Sequence, residues 1–232
     1  MRAIILAAGA GTRLRASAAI KPLALVAGKT LLAHAMHGMA RAGASEIIIV
    51  TGYEAAHVRA AAQSVALDIP VHLVHNERWE EPNGTSVLAA RDYVTGPTLL
   101  AMCDHLVEPA LYQLLMHCPH ASDHLVLGVD RRLGHPWIDP EDVTCVRSDA
   151  GRIVDIGKGL EPHDCYDVGV FRIVPALMTV LAAMARPSLS DGVRALAAEG
   201  QAHVVDIGTL NWIDVDDPRA MQEAEKWMQS CS

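Results

Sequence analysis

The segment Leu6-Ala7-Ala8-Gly9-Ala10-Gly11-Thr12-Arg13-Leu14 holds the densest concentration of usable chemistry in the chain, directly after a short apolar run from Ala3 to Ala8. Glycines at the carboxyl end of a strand let backbone N–H groups approach phosphate oxygens with no side chain in the way. Arg13 adds a planar fork that can grip a phosphate at two points, and Lys21, held before Pro22, adds a point charge. One loop thus offers backbone donors and two cations to a polyphosphate. An ordinary tight turn is the plainer alternative, and the basic pair that follows argues against it.

Two rival phosphate motifs fail. A dinucleotide-binding GxGxxG needs a third glycine where Leu14 stands, and Arg13 would crowd the pyrophosphate. A P-loop at Ala27-Gly28-Lys29-Thr30 would need its first glycine at Leu23, and one at Gly157-Lys158 would need it at Arg152.

Asp104 follows the apolar run Leu99 to Met102. Ligands of parallel sheets collect at the carboxyl ends of the strands, and a carboxylate there can hold Mg2+ against a triphosphate. Asp214, within Trp212-Ile213-Asp214-Val215-Asp216, is the second carboxylate candidate, with Asp216 expected on the same face of a strand. Each Asp taken singly is more often a cap or turn former than a ligand, and Asp216-Asp217-Pro218 reads as a helix start; their occurrence together with the glycine loop favours the ligand reading.

These residues need a scaffold that brings them together. Ala3 to Ala8, Glu46 to Thr51, Pro70 to His75, Thr98 to Met102 and Leu125 to Val129 read as strands. Helical patterns at Leu31 to Arg41, Glu54 to Val65 and Ser86 to Val94 lie between them. That alternation predicts an α/β protein, a parallel sheet with helices on both faces. After Arg131 the rhythm breaks into strands at Val143 to Arg147, Arg152 to Ile156 and Tyr166 to Ile173. Helices at Pro175 to Ala185 and Ser190 to Ala198, a strand at His203 to Ile207 and a last helix at Pro218 to Met228 complete the chain. A single domain over residues 1–232 is expected, with 1–130 as a nucleotide-binding half and 131–232 as an acceptor-binding half that includes the C-terminal helix.

Composition narrows the function. With 232 residues, 51% of them hydrophobic, and a net charge of -8, the chain reads as globular and acidic. An acidic balance argues against nucleic acid, whose binding is dominated by clustered Lys and Arg. The five cysteines contain no CxxC pair, so reduced thiols and a cytoplasmic setting are expected, with no zinc site. No apolar stretch reaches the ~18 residues that a membrane span requires.

LAAGAGTRL followed by Lys21-Pro22 resembles the signature of nucleotidyltransferases that act on sugar-1-phosphates and related phosphorylated alcohols. Four further blocks follow in order: Asn83-Gly84-Thr85-Ser86, Met102-Cys103-Asp104-His105, Ile156-Gly157-Lys158 with Asp167-Val168-Gly169, and Trp212-Ile213-Asp214-Val215-Asp216. Within that superfamily the chain is most similar to inositol-1-phosphate cytidylyltransferases. Departures are Cys103, where a glycine is common, and Val168, where a threonine is common.

The resemblance implies a Rossmann-like, mixed but mostly parallel sheet of the nucleotide-diphospho-sugar transferase kind. It implies transfer of CMP from CTP to inositol 1-phosphate with release of pyrophosphate. Alternatives are a sugar-1-phosphate nucleotidyltransferase using UTP, dTTP or GTP, or a phosphocholine or phosphonate cytidylyltransferase. Leu6, Ala8, Gly9, Ala10, Gly11, Thr12, Arg13, Asn83, Gly84 and Thr85 would bind the nucleotide. Arg13, Lys21 and Lys158 would be catalytic; Lys158, Asp167 and Gly169 would bind the acceptor; Asp104 and Asp214 would hold Mg2+. Because the acceptor phosphate is itself a good nucleophile, the expected reaction is an in-line displacement driven by positioning and charge neutralisation, with no general base. A separate CDP-alcohol transferase downstream and a homo-oligomeric state are further expectations.

A different class, a non-catalytic nucleotide-binding regulator on the same fold, would have no need of both metal carboxylates. His117, His120 and His124 are expected at the surface, Trp227 in the core, and Trp79 and Trp137 packed in loops or closing the acceptor pocket.

Overall fold

The computed structural model describes residues 1–11 and 20–230. Its strands are β1 (Arg2–Ala7), β2 (Leu25–Val26), β3 (Lys29–Thr30), β4 (Glu46–Thr51), β5 (Val71–His75), β6 (Thr98–Met102), β7 (His105–Val107), β8 (Leu125–Asp130), β9 (Thr144–Asp149), β10 (Arg152–Lys158), β11 (Cys165–Ile173), β12 (Ala202–Asp206) and β13 (Trp212–Asp214). Its helices are α1 (Leu31–Arg41), α2 (Ala55–Ser64), α3 (Gly84–Ala89), α4 (Pro109–His117), α5 (Pro175–Ala182), α6 (Leu189–Ala198) and α7 (Pro218–Ser230).

Nine strands form one sheet in the order β5-β4-β1-β6-β11-β8-β12-β10-β9. The block β5-β4-β1-β6 is parallel throughout, as the alternating first half predicts. β11 enters beside β6 antiparallel and turns the rest of the sheet mixed, although β8 and β12 again run parallel. The sheet is therefore continuous between the chain's two halves.

Alternation along β1 explains the two layers. Ala3, Ile5 and Ala7 enter the core under α1, α2 and α4, while Ile4, Leu6 and Ala8 enter the core under α3, α5 and α6. A central strand buried on both faces must be apolar at every position, which is why this one reads as an unbroken run. In α1, Leu32, Ala35, Met36 and Met39 fall at helical spacing toward the sheet, and the Thr30 side chain accepts from the Ala33 N–H at 3.1 Å to start the helix. A smaller third core joins Val26 and Leu31 to Ile213, Val215 and Trp227, so that α7 packs over the short β7–β13 pair.

Three expectations need correction. The expected helix from Ser86 to Val94 is instead α3 over Gly84–Ala89 followed by a separate 3-10 turn at Arg91–Tyr93. β7 is not among the expected strands, because its three residues are too few to show a period. β13 ends at Asp214, so Asp216 is not its strand neighbour; Asp216 lies beyond the strand and is buried.

Candidate active site

Two adjoining clefts open at the carboxyl ends of β1 and β6 and share Lys21, Asn83, Met102, Asp104 and Asp216 in their walls. The first is lined by Leu6, Ala8, Gly9 and Gly11 of the loop after β1, with Pro22, Trp79 and Ser86. The second is lined by Trp137, Asp142, Lys158, Asp167, Gly169, Asp214 and Arg219, with others. Leu6, Ala8, Gly9, Gly11 and Asn83 of the residues expected to bind nucleotide border one cleft, those expected to bind acceptor border the other, and Lys21 and Asp104 stand on the ridge between.

Lys21 is buried, and its ammonium lies 2.7 Å from Asp104 Oδ2 and 3.5 Å from Asp214 Oδ1. Its aliphatic stem runs against Gly11, where φ is +54° and an added Cβ would come within 2.4 Å of Lys21 Cβ. Only glycine meets both demands, the left-handed backbone and the missing side chain. Burial disfavours the Lys21 charge, but the Asp104 and Asp214 carboxylates outweigh it and hold the ammonium well above its ordinary range. Reciprocally, Lys21 and His105 overcome burial at Asp104 and keep its carboxyl ionised far below the usual range. Asp214 moves the other way, raised by burial and by the like charge of Asp104.

Backbone pairing brings the two carboxylates together across 110 residues of sequence. In the antiparallel β7–β13 pair, Asp214 stands opposite His105, and the Val215 N–H donates to the Asp104 carbonyl at 2.9 Å. His105 Nδ1 lies 3.0 Å from Asp104 Oδ1. Ligand atoms of Asp104, His105 and Asp214 all fall within 4.8 Å of one another, as do those of Asp142, Asp214 and Asp216. A convergent pair of carboxylates beside a polyphosphate-sized cleft is the donor set a hard divalent cation takes, so the residues present fit one.

In the second cleft, Asp167 accepts from the Gly169 N–H at 2.7 Å. Burial pushes its carboxyl up to about 6, with the Gly169 amide and His105 acting against the shift. Lys158, at the end of β10, is half exposed and ion-paired with Asp142. Trp137 packs against Trp227 with ring centroids 5.5 Å apart, the packing alternative expected of it, and also lines the cleft.

Other expected site residues land differently. Thr12 and Arg13 lie outside the described residues. Ala10 is in the loop but not in the wall of either cleft. Gly84 and Thr85 stand behind the wall: an added Cβ on Gly84 would meet the Pro187 carbonyl oxygen at 2.5 Å, and the buried Thr85 hydroxyl accepts from Asn76 Nδ2 at 3.0 Å. Both are buried and support the loop. Asn83 lines both clefts, yet its Oδ1 accepts from the Leu189 N–H at 2.8 Å, tying the loop to the start of α6. Sequence reasoning missed Asp142 and Arg219 because neither belongs to a recognisable pattern, whereas Ser86 stood within a quoted block without being assigned a role.

Among the described residues no helix is long and apolar enough to cross a membrane. Cys103, Cys118, Cys145 and Cys165 are free and buried. His120 and His124 cluster with His203 far along the chain, ring centroids 4.8 Å apart in both pairs with His203.

Residues 3–205 match the MobA-like NTP transferase domain family. The chain is 37% identical over 229 residues to the bifunctional IPC transferase and DIPP synthase of Rubrobacter xylanophilus, covering 97% of this chain and 51% of that protein. It is 31% identical to the CMP-5'-(3-aminopropyl)phosphonate synthase of Streptomyces rubellomurinus, covering 97% of this chain and 38% of that protein. The chain thus spans about half or less of the length of these curated relatives. Among solved structures, the inositol-1-phosphate CTP transferase from T. maritima superposes with a TM-score of 0.82 at 25% identity, over 97% of this chain and 96% of that one.

Proposed function

The chain belongs to the MobA-like NTP transferase domain family of nucleotidyltransferases, and from that premise we propose that it transfers CMP from CTP to inositol 1-phosphate, releasing pyrophosphate. One observation carries the proposal: two clefts with different linings meet at a buried lysine flanked by two carboxylates. That is the arrangement two anionic substrates need if they are to react at their junction.

In this reading the glycine loop at Gly9 to Gly11, with Arg13, cradles the triphosphate, and Lys21 faces the α-phosphate. A phosphate oxygen of the acceptor attacks the α-phosphorus, the bond from that phosphorus to the bridging oxygen breaks, and pyrophosphate leaves with the electron pair. Lys21 stands where negative charge gathers in this displacement, inside a partly water-excluded site where its charge acts strongly. Lys158 neutralises the acceptor phosphate, and Asp167 and Asp142 accept from acceptor hydroxyls. Asp104 and Asp214 would hold Mg2+, which when bound would neutralise phosphate charge. A CDP-alcohol transferase, on the same chain or a separate one, would consume the product.

A second reading has an observation of its own. Asp139, Asp142, Asp217 and Glu223 also line the acceptor cleft, and such an acidic wall suits an aminoalkylphosphonate as well as a polyol. Pyrophosphate release in the presence of Mg2+, crossing CTP, UTP, dTTP, GTP and ATP against inositol 1-phosphate, aminoethylphosphonate, phosphocholine and hexose 1-phosphates, separates the two. Turnover with CTP and inositol 1-phosphate, lost in Asp104→Asn, is the expected result. Turnover only with a phosphonate would move the assignment to the second reading, and CTP binding without turnover on any acceptor would favour a regulator.

A further inference from the structure

His105 is held on three sides. Its ring stacks on Trp212 with centroids 5.8 Å apart and planes 8° from parallel. Gly169 closes on its edge so tightly that an added Cβ there would lie 2.4 Å from the ring, at a φ of +73° that already favours glycine. The Trp212 indole N–H is fixed in turn by the buried carboxylate of Asp130 at 2.8 Å. This packing aims Nδ1 at the two carboxylates, 3.0 Å from Asp104 Oδ1 and 4.0 Å from Asp214 Oδ1.

The shorter separation is a hydrogen bond, and the donor atoms of His105, Asp104 and Asp214 all lie within 4.8 Å of one another, close enough for one cation that displaces the ring proton to take all three. Lys21 meanwhile takes the other oxygen of Asp104, Oδ2, and leaves Oδ1 on the side of His105. We propose that His105 Nδ1 is a third ligand beside Asp104 and Asp214, making the cation site a nitrogen and oxygen site that prefers a divalent transition ion such as Mn2+ over Mg2+. Imidazole suits the first-row transition ions, whereas Mg2+ favours carboxylate, phosphate and water oxygens. The ring's packing fits the role, because a ligating histidine whose orientation is fixed in advance loses little freedom on binding. The inference rests on Asp104 and Asp214 being the cation site of the proposed function.

The test is pulsed electron paramagnetic resonance of Mn2+ bound to the unmodified protein with CTP present, prepared with natural and with 15N-labelled histidine. Modulation from a directly bound histidine nitrogen, changing with the label and lost in His105→Gln, is the expected result. Mn2+ affinity should fall at least about tenfold in His105→Gln while Mg2+ affinity moves less. Bound Mn2+ that Asp104→Asn abolishes, but that shows no histidine nitrogen, overturns the inference and leaves the carboxylate site standing. Failure of Mn2+ and Mg2+ alike to bind, with or without CTP, overturns both. The labelled, unsubstituted protein gives its answer whether or not the variant folds.

Discussion

The indole N–H of Trp212 donates to a carboxylate oxygen of Asp130 at 2.8 Å, and Asp130 has no exposed surface at all. Asp130 also accepts from Arg132, through its backbone N–H at 2.8 Å and its guanidinium at 2.9 Å. The carboxyl end of β8 is thus bound to β13, the strand that carries Asp214, and the pairing acts on the site through position alone. These donors and the adjacent charge overcome burial and hold the Asp130 carboxyl below its ordinary range.

A depressed carboxyl pKa stabilises the folded state above the unfolded value of ~3.9, and the contribution is lost as pH falls through the folded value. Asp130→Asn should therefore cost about 1–3 kcal/mol near pH 7, with the gap from the parent protein narrowing below about pH 4. Urea unfolding at a series of pH values measures it. A gap that stays constant down to pH 3 would show that the charge on Asp130 contributes nothing.

Replacing Lys21 by Met separates charge from bulk. The stem that fills the space beside Gly11 is kept, and the ammonium that faces Asp104 and Asp214 is lost. If Lys21 stabilises charge in the displacement, kcat should fall on the order of 100-fold or more, since that is what removal of one such donor costs. Asp104, freed of its counterion, should rise in pKa. Pyrophosphate release and a carboxyl titration by NMR read the two effects; unchanged kcat would exclude Lys21 from the chemistry.

Much of this was legible in the residues because burial on both faces leaves the interiors of β1, β4 and β6 no polar positions between their ends, and such strands announce themselves. Asp104 was equally readable, since a carboxylate at the end of such a strand sits where ligands gather. The support was not readable. Asp130 reaches Trp212 across 82 positions, and Asn83 reaches the Leu189 amide across 106; neither leaves a local period or spacing. Gly84 and Thr85 show the converse: a recognisable motif located the loop, but only packing against Pro187 and Asn76 decided which of its residues face the cleft.

Glycine substitutions in the two loops should separate support from contact. At Gly9 an added Cβ meets nothing within 4 Å, whereas at Gly84 it meets the Pro187 backbone carbonyl at 2.5 Å. Gly84→Ala should lower stability by about 1–3 kcal/mol through overpacking that backbone cannot relieve. Gly9→Ala should fold as well as the parent and raise the KM for CTP about tenfold, because its methyl group would stand where phosphate oxygens approach the amides. Thermal melts and CTP kinetics on both variants give the comparison, and normal CTP kinetics in Gly9→Ala would count against the loop as a phosphate cradle.

Helix α6 links the two clefts. Its first amide is held by Asn83, and further along the Arg194 Nε donates to the Ile156 carbonyl at 2.8 Å, two residues before Lys158. Arg194 also pairs with Asp155, so its guanidinium grips β10 just where that strand delivers the lysine to the second cleft. Arg194→Ala should raise the KM for the acceptor about tenfold, equivalent to ~1.4 kcal/mol, with the KM for CTP nearly unchanged. Asn83→Asp, which keeps an oxygen for the Leu189 amide, should preserve stability, whereas Asn83→Ala should lose about 1 kcal/mol. Equal rises in both KM values for Arg194→Ala would mean that the helix supports the sheet as a whole and does not set the position of Lys158.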